Sequence, residues 1–349
     1  MQYRPLGQTN IQVSQLCLGT MTWGQQNTEQ EAHQQLDMAV DAGINFIDTA
    51  ELYPVPPRPE TQGLTETYLG SWLARPGNRH KVIVATKVVG RSRKLVQAAH
   101  IRQGNTCLDR QHIQMAVETS LQRLRTDTID LYQLHWPDRP TNHFGELGYR
   151  HQAAQEFIAI EETLRVLSDL IKSGKIRMIG VSNETPWGVH EFLRQAELQG
   201  LPRIVSIQNP YNLLNRSFEI GLAEMAIREQ TGLLAYSPLA FGALTGKYLQ
   251  GQTPSGCRLT LWERFARYKG PVAEKAIQAY VTLAREHGIE PAHLALAWVN
   301  SRDFVTSTIL GATRPEQLQM NIASLDIPLP DALLQGIERI HAEFTNPCP

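Results

Sequence analysis

Eight short apolar runs, separated by segments of helical periodicity, constrain this chain more than any other feature. They are "LCLGT" (16–20), "NFIDTA" (45–50), "VIVATK" (82–87), "IDLYQLHW" (129–136), "IRMIGVSN" (176–183), "IVSIQNP" (204–210), "LLAYSPL" (233–239) and "TSTILGA" (306–312). Near-continuous apolar strands need cover on both faces, and a parallel sheet sheathed in helices supplies it. The segments between them, such as "EAHQQLDMAVDAG" and "HIQMAVETSLQRLRT", space their apolar residues by three and four, and several begin after Asp or Thr or stop at glycine. Eight such alternations close most simply into a (β/α)8 TIM barrel, read here as one domain over residues 1–349. An open doubly wound sheet would carry a G-x-G-x-x-G turn after its first strand, and "LCLGTMTWG" lacks it. The opening "YRPLGQTNIQV" reads as a β-hairpin turning around Gly7 to Asn10, a plug for the barrel floor.

Three insertions break the rhythm: "PVPPRPETQG" after the second strand, "DRPTNHFGELGYRHQAAQ" after the fourth, and the connection from Ala240 to Lys269 after the seventh. All follow carboxyl ends of strands, the face on which such barrels build their sites. Bulk charge narrows the partner. With 33 Lys+Arg against 34 Asp+Glu the net charge is −1, which argues against a nucleic-acid surface and for a small molecule. No apolar run approaches the ~18 residues of a membrane span, and "MQYRPLGQTNIQVSQLCLGT" has no signal-peptide pattern, so the cytoplasm is the expected location. Cys17, Cys107, Cys257 and Cys348 form no C-x-x-C pair, which fits reduced thiols and neither a disulfide framework nor a metal site.

Asp48 ends the second strand with Tyr53 in its loop, Lys87 ends the third and His135 the fourth. Singly, these are a cap, a loop aromatic, a solvated strand end and a core histidine. At equivalent positions on neighbouring strands their side chains can converge on one rim. A tyrosine with a pKa near ~10 is a poor acid, and an adjacent ammonium is expected to lower that value. Asp48 would hold Lys87 in place, and His135 would polarise a substrate oxygen. The set suits reduction of a carbonyl.

The chain resembles the aldo-keto reductases along its whole length. "GINFIDTAELY", "IDLYQLHWP", "GKIRMIGVSN", "QNPYNLL", "AYSPLAFGALTGKY" and "LGATRPEQLQMNI" follow in that family's order, and "PVPPRPETQGLTE" and "RPTNHFGELGY" look most like its bacterial Tas-type branch. The resemblance implies an NADP(H)-dependent oxidoreductase with Tyr53 as proton donor beside Asp48, Lys87 and His135. It also implies that Thr20 and Met21 meet the cofactor, that Ser182, Asn183 and Gln208 hold its carboxamide, and that Tyr236 stacks on its nicotinamide ring. Ser237, Pro238, Leu239, Ala240, Phe241, Gly242, Ala243, Leu244, Thr245 and Gly246 would wrap the pyrophosphate, Lys247 would reach a phosphate, and Thr313, Gln317 and Asn321 would lie near the adenosine. Many members read the 2'-phosphate with a Lys and an Arg where this chain has Gly311 and Gln317. In the branch resembling potassium-channel β subunits the loop after strand seven supplies the cation. Arg258 is the corresponding reader, with Arg314 a second candidate.

Trp23, Tyr53 and Trp136, together with Trp187, suggest an aromatic rim for a carbonyl substrate. Two other classes compete. A nucleotide-sensing accessory subunit could use the same barrel, since a fold does not fix function. A metal-dependent hydrolase lacks strand-end His-x-His pairs and a Cys/His cluster of ligand spacing.

Overall fold

The hairpin at the start of the chain forms as expected and closes the floor of a barrel. In the computed structural model, which describes residues 1–92, 99–142, 144–153, 155–263 and 265–349, β1 (Tyr3–Pro5) pairs antiparallel with β2 (Gln12–Ser14). Gly7 turns with φ +60°, and a Cβ there would stand 2.7 Å from the Cβ of Val205, so only glycine lets the turn lie this close. Leu6 and Val13 are buried in one cluster with Cys17, Phe46, Ala85, Leu131, Met178, Val205, Leu234 and Ile309, one residue from each barrel strand.

Those strands are β3 (Leu16–Gly19), β4 (Phe46–Asp48), β5 (Ile83–Val88), β6 (Ile129–Leu134), β7 (Ile176–Ser182), β8 (Ile204–Pro210), β9 (Leu233–Tyr236) and β10 (Val305–Leu310). They close in the order β10-β3-β4-β5-β6-β7-β8-β9, all neighbours parallel. The (β/α)8 architecture expected from the eight runs is therefore the observed one.

The helices are α1 (Glu29–Asp41), α2 (Leu64–Leu73), α3 (Arg110–Leu124), α4 (Ile160–Lys172), α5 (Pro186–Gln199), α6 (Leu222–Arg228), α7 (Arg258–Leu261), α8 (Pro271–Glu286), α9 (Pro291–Asn300), α10 (Pro315–Ala323) and α11 (Asp331–Glu343). Their starts follow local chemistry. Thr28 and Glu31 form a reciprocal capping box on α1, Asp109 caps α3, and Thr185 caps α5 ahead of Pro186. α1 then buries Ala32, Gln35, Leu36 and Ala39, the stripe that its apolar spacing predicts. Among the described residues no helix is long and apolar enough to cross a membrane. In the second and third insertions, His143, Ala154 and Arg264 lie outside the described residues.

Candidate active site

Above the apolar floor, the same inward phase of the strands carries polar residues. Lys87 follows Ala85 by two positions and Gln133 follows Leu131 by two, so both point into the barrel. The β7–β8 register slips between Ile179↔Ile204 and Val181↔Ile207, and this brings Gln208 opposite Ser182. The result is a buried polar layer. Asp48 accepts from Lys87 Nζ at 2.6 Å, from Gln208 Nε2 at 2.8 Å and from Gln133 Nε2 at 3.1 Å. Lys87, 0 % exposed, directs its remaining protons to the Thr49 carbonyl at 2.8 Å and to the Tyr53 phenol at 3.5 Å. All three donors of the ammonium are thus committed.

The loop carrying Tyr53 is tied down by Glu51, a residue not singled out in the sequence. Its carboxylate accepts two bonds from Arg102, at 2.7 and 2.8 Å, and one from the Val89 N–H at 2.7 Å. Tyr53 then meets the His135 ring edge-on, centroids 5.8 Å apart, and the His135 ring lies 5.1 Å from that of Trp136.

Burial sets the protonation states. It would lower the Lys87 pKa, but Asp48 and then Tyr53 raise it above its ordinary value, so the residue is a permanent cation. Burial also raises Tyr53, and the opposing pull of Lys87 does not offset it. The expected lowering of the tyrosine is thereby corrected: Lys87 acts in that direction, while enclosure outweighs it. His135 is pushed well below its usual range by burial and by Lys87, and its Nδ1 has no hydrogen-bond partner among the described residues. It is a neutral imidazole.

These residues open onto a cavity of about 790 Å³, a size suited to small molecules and cofactors. Thr20, Met21, Asp48, Tyr53, His135, Trp136, Ser182, Asn183, Gln208, Tyr236, Ser237, Pro238, Leu239, Phe241, Gly242, Thr245, Lys247, Arg258, Thr313, Gln317 and Asn321 line it. Not every residue singled out in the sequence lines this cavity. Trp23 is buried in the core with its indole N–H on Gln35 at 3.1 Å, so it does not reach the rim. Trp187 is exposed on α5 beneath Arg139, outside the cavity. Ala240, Ala243 and Leu244 turn into the core, and neither they nor Gly246 lines the cavity. The N–H groups of Ala240, Gly242, Leu244 and Gly246 are spent on carbonyls of their own loop. Arg258 lines the same cavity as Thr313, Gln317 and Asn321 and is stacked on Phe241 and Phe265, at 5.1 and 5.5 Å, near the Tyr53 phenol. Arg314 is exposed at the start of α10 and does not line the cavity.

One trio of ligating types was not singled out in the sequence. Cys107, Asp109 and His112 bring ligand atoms within 4.8 Å of one another, but none lines the cavity. Asp109 serves as the α3 cap, and burial pushes the Cys107 thiol up to about 11.

The cavity's charge tests whether a dinucleotide fits. Its lining carboxylate, Asp48, is neutralised by Lys87, whereas Lys247, Arg258 and Arg267 also line it. Among the described residues no Asp or Glu forms an ion pair with either arginine, and the Pro349 oxygen lies near Arg267. Lys247 lies over Gly242, where a Cβ would come within 2.9 Å of its Nζ. A polar–apolar cleft carrying this positive excess matches a ligand with phosphates.

A closed parallel barrel thus carries a buried Asp–Lys pair, a tyrosine and a neutral histidine at its carboxyl-end mouth. The Aldo/keto reductase family model matches residues 15–342, and the chain belongs to that family. It is 54% identical to Protein tas of Escherichia coli (strain K12) over 349 residues, which is 100% of both chains. It is 32% identical over 342 residues to the NADH-specific methylglyoxal reductase of the same organism, covering 95% of this chain and 96% of that one. Over 352 residues it is 30% identical to a probable voltage-gated potassium channel subunit beta of Oryza sativa subsp. japonica, covering 98% and 96%. Family membership supports an oxidoreductase that works with a nicotinamide cofactor.

Proposed function

We propose that the protein reduces an aldehyde or ketone to an alcohol with NADP(H), using Tyr53 as the proton donor. The observation that carries this reading is the Lys87 ammonium held between Asp48 Oδ2 at 2.6 Å and the Tyr53 phenol at 3.5 Å, at the edge of the cavity. When bound, the cofactor supplies a hydride to the carbonyl carbon. Tyr53, kept protonated at neutral pH by its enclosure, gives its proton to the carbonyl oxygen. The phenolate left behind is stabilised by Lys87, whose own charge is fixed by Asp48. His135 stays neutral and serves as a hydrogen-bond partner for the substrate oxygen, adding polarisation without a second positive charge. Leu52, Val55, Trp136 and Phe144 keep water away from the reacting atoms.

Ser182, Asn183 and Gln208 are assigned to the carboxamide and Tyr236 to the ring face. The Tyr236 hydroxyl donates to Asn183 Oδ1 at 2.6 Å, which couples these two positions. Lys247 and Arg258 are assigned to the phosphates, and the preference for NADP(H) over NAD(H) rests on Arg258. A panel of aldehydes and ketones with purified protein and NADPH, followed at 340 nm, tests the reading. Turnover of at least one is expected. Tight cofactor binding with no turnover across the panel would replace it with the nucleotide-sensing role.

A further inference from the structure

We infer that Arg102, which does not line the cavity, is a positioning residue for the proton transfer: through Glu51 it holds the loop that sets the Tyr53 phenol beside Lys87. This rests on the reductase reading above and extends it to a side chain behind the cavity wall. Arg102 lies in the connection between β5 and α3, and its guanidinium meets the Glu51 carboxylate fork to fork, Nη1 on Oε2 at 2.7 Å and Nη2 on Oε1 at 2.8 Å. The pair is enclosed, with side-chain exposures of 10 % for Arg102 and 2 % for Glu51. Glu51 also accepts from the Val89 N–H at 2.7 Å and donates its own N–H to the Lys87 carbonyl at 3.2 Å. It is therefore anchored to the strand that carries the ammonium and to the residue just beyond that strand.

Tyr53 follows Glu51 by two residues. The bond from Lys87 to the phenol is long, 3.5 Å, and too weak to locate the ring by itself. The backbone of Tyr53 bonds to Ala50 and Gly63 of its own loop, at 3.1 and 2.9 Å, and beyond it the Val55 N–H docks on the Met21 carbonyl at 3.1 Å. Glu51 is thus the anchor on the Lys87 side. The backbone that presents its partner is strained: Arg102 and Gln103 hold left-handed φ angles of +46° and +59°. Side chains other than glycine resist this region, and such residues persist where their surroundings over-determine them. Ile101, the preceding residue, is buried with Val89 and Trp136 against Leu52, and Trp136 and Leu52 line the cavity. One short segment therefore props the acid through Glu51 and the substrate wall through Trp136. Without the guanidinium, Glu51 either moves toward water or takes up a proton, and in both cases the fork that fixes the loop is lost.

The test is a double-mutant cycle on carbonyl turnover with NADPH. Arg102→Met should lower kcat by about 10-fold or more, the scale of a misplaced reacting group, with NADPH affinity within about 2-fold by fluorescence titration. In the Tyr53→Phe background the same substitution should change the residual kcat by less than about 2-fold, because the group it positions is already gone. Arg102→Lys can make only part of the fork and should recover part of the loss. Glu51→Gln keeps the shape and the Val89 contact while weakening the fork, so it should show the same dependence on Tyr53 in a milder form, and it carries the test if Arg102→Met does not fold. Full turnover by Arg102→Met would overturn the inference. So would an equal fold-loss in both backgrounds, a fall in NADPH affinity matching the fall in kcat, or failure of Glu51→Gln to fold, each of which makes the pair a support for the barrel at large. All of these leave the reductase reading standing. Full turnover by Tyr53→Phe alone, or no reduction of any carbonyl, would remove both.

Discussion

Lys87 Nζ stands 3.5 Å from the Tyr53 hydroxyl and 4.8 Å from the centre of its ring. The ammonium favours the phenolate, yet enclosure leaves the phenol harder to ionise than a free tyrosine. A group that acts when protonated and whose pKa is raised keeps its activity at least up to its ordinary value. The rate of carbonyl reduction should therefore hold through neutral and mildly alkaline pH and fall only above about pH 10. Lys87→Met, which removes the charge favouring the phenolate, should move that limb still higher. A pH–rate profile checks both, and a Tyr53-dependent limb near neutrality would contradict the assignment.

The same lysine carries a stability cost when removed. Lys87→Met leaves the Asp48 carboxylate buried with only Gln133 and Gln208 as donors. Breaking a buried pair from one side typically costs about 3–5 kcal/mol. Denaturant unfolding should show a loss on that scale, and pairing Lys87→Met with Asp48→Asn should recover much of it.

Cofactor choice should depend on Arg258. If its guanidinium meets the 2'-phosphate, NADPH should bind more tightly than NADH by about 1.5–3 kcal/mol, and Arg258→Met should erase the difference. Titration of each cofactor against intrinsic fluorescence measures it. Equal affinities in the unmodified protein would remove the NADP(H) preference while leaving nicotinamide chemistry in place.

His135 links stability to acid. In the unfolded chain it takes up a proton near pH ~6.5, whereas in the fold its pKa is depressed. The unfolded state therefore binds more protons as the pH drops, and stability should fall below about pH 6.5 with a slope of up to about 1.4 kcal/mol per pH unit from this group. His135→Gln should flatten that part of the curve in an unfolding series from pH 7.5 to 5, values chosen to bracket about one unit on either side. An unchanged slope would show that His135 takes up its proton in the fold.

The barrel was legible because each strand announced itself as a short apolar run between segments of helical spacing, and the hairpin because Gly7 and Asn10 mark a turn. Asp48, Lys87 and His135 were legible because each stands at or near the end of such a run. Gln133 was not, although it shares the inward phase of Leu131 and His135. In "IDLYQLHW" a single glutamine looks like ordinary strand polarity until a carboxylate appears across the barrel. The inward aim of Gln208 depends on a register slip that no local pattern marks. Trp23 was misread because its direction is decided by Gln35 on α1, and the Tyr53 pKa because enclosure is a property of assembled loops.

The most direct measurement is the separation of binding from turnover in Tyr53→Phe. The substitution removes one oxygen and leaves the ring against His135 and the Asp48–Lys87 pair in place. Cofactor affinity should stay within about 2-fold of the unmodified protein, while kcat on any accepted carbonyl should drop by about 10²-fold or more, the scale of a lost general acid. Full turnover by Tyr53→Phe on a good substrate would contradict the account and make Tyr53 an ordinary wall of the cavity.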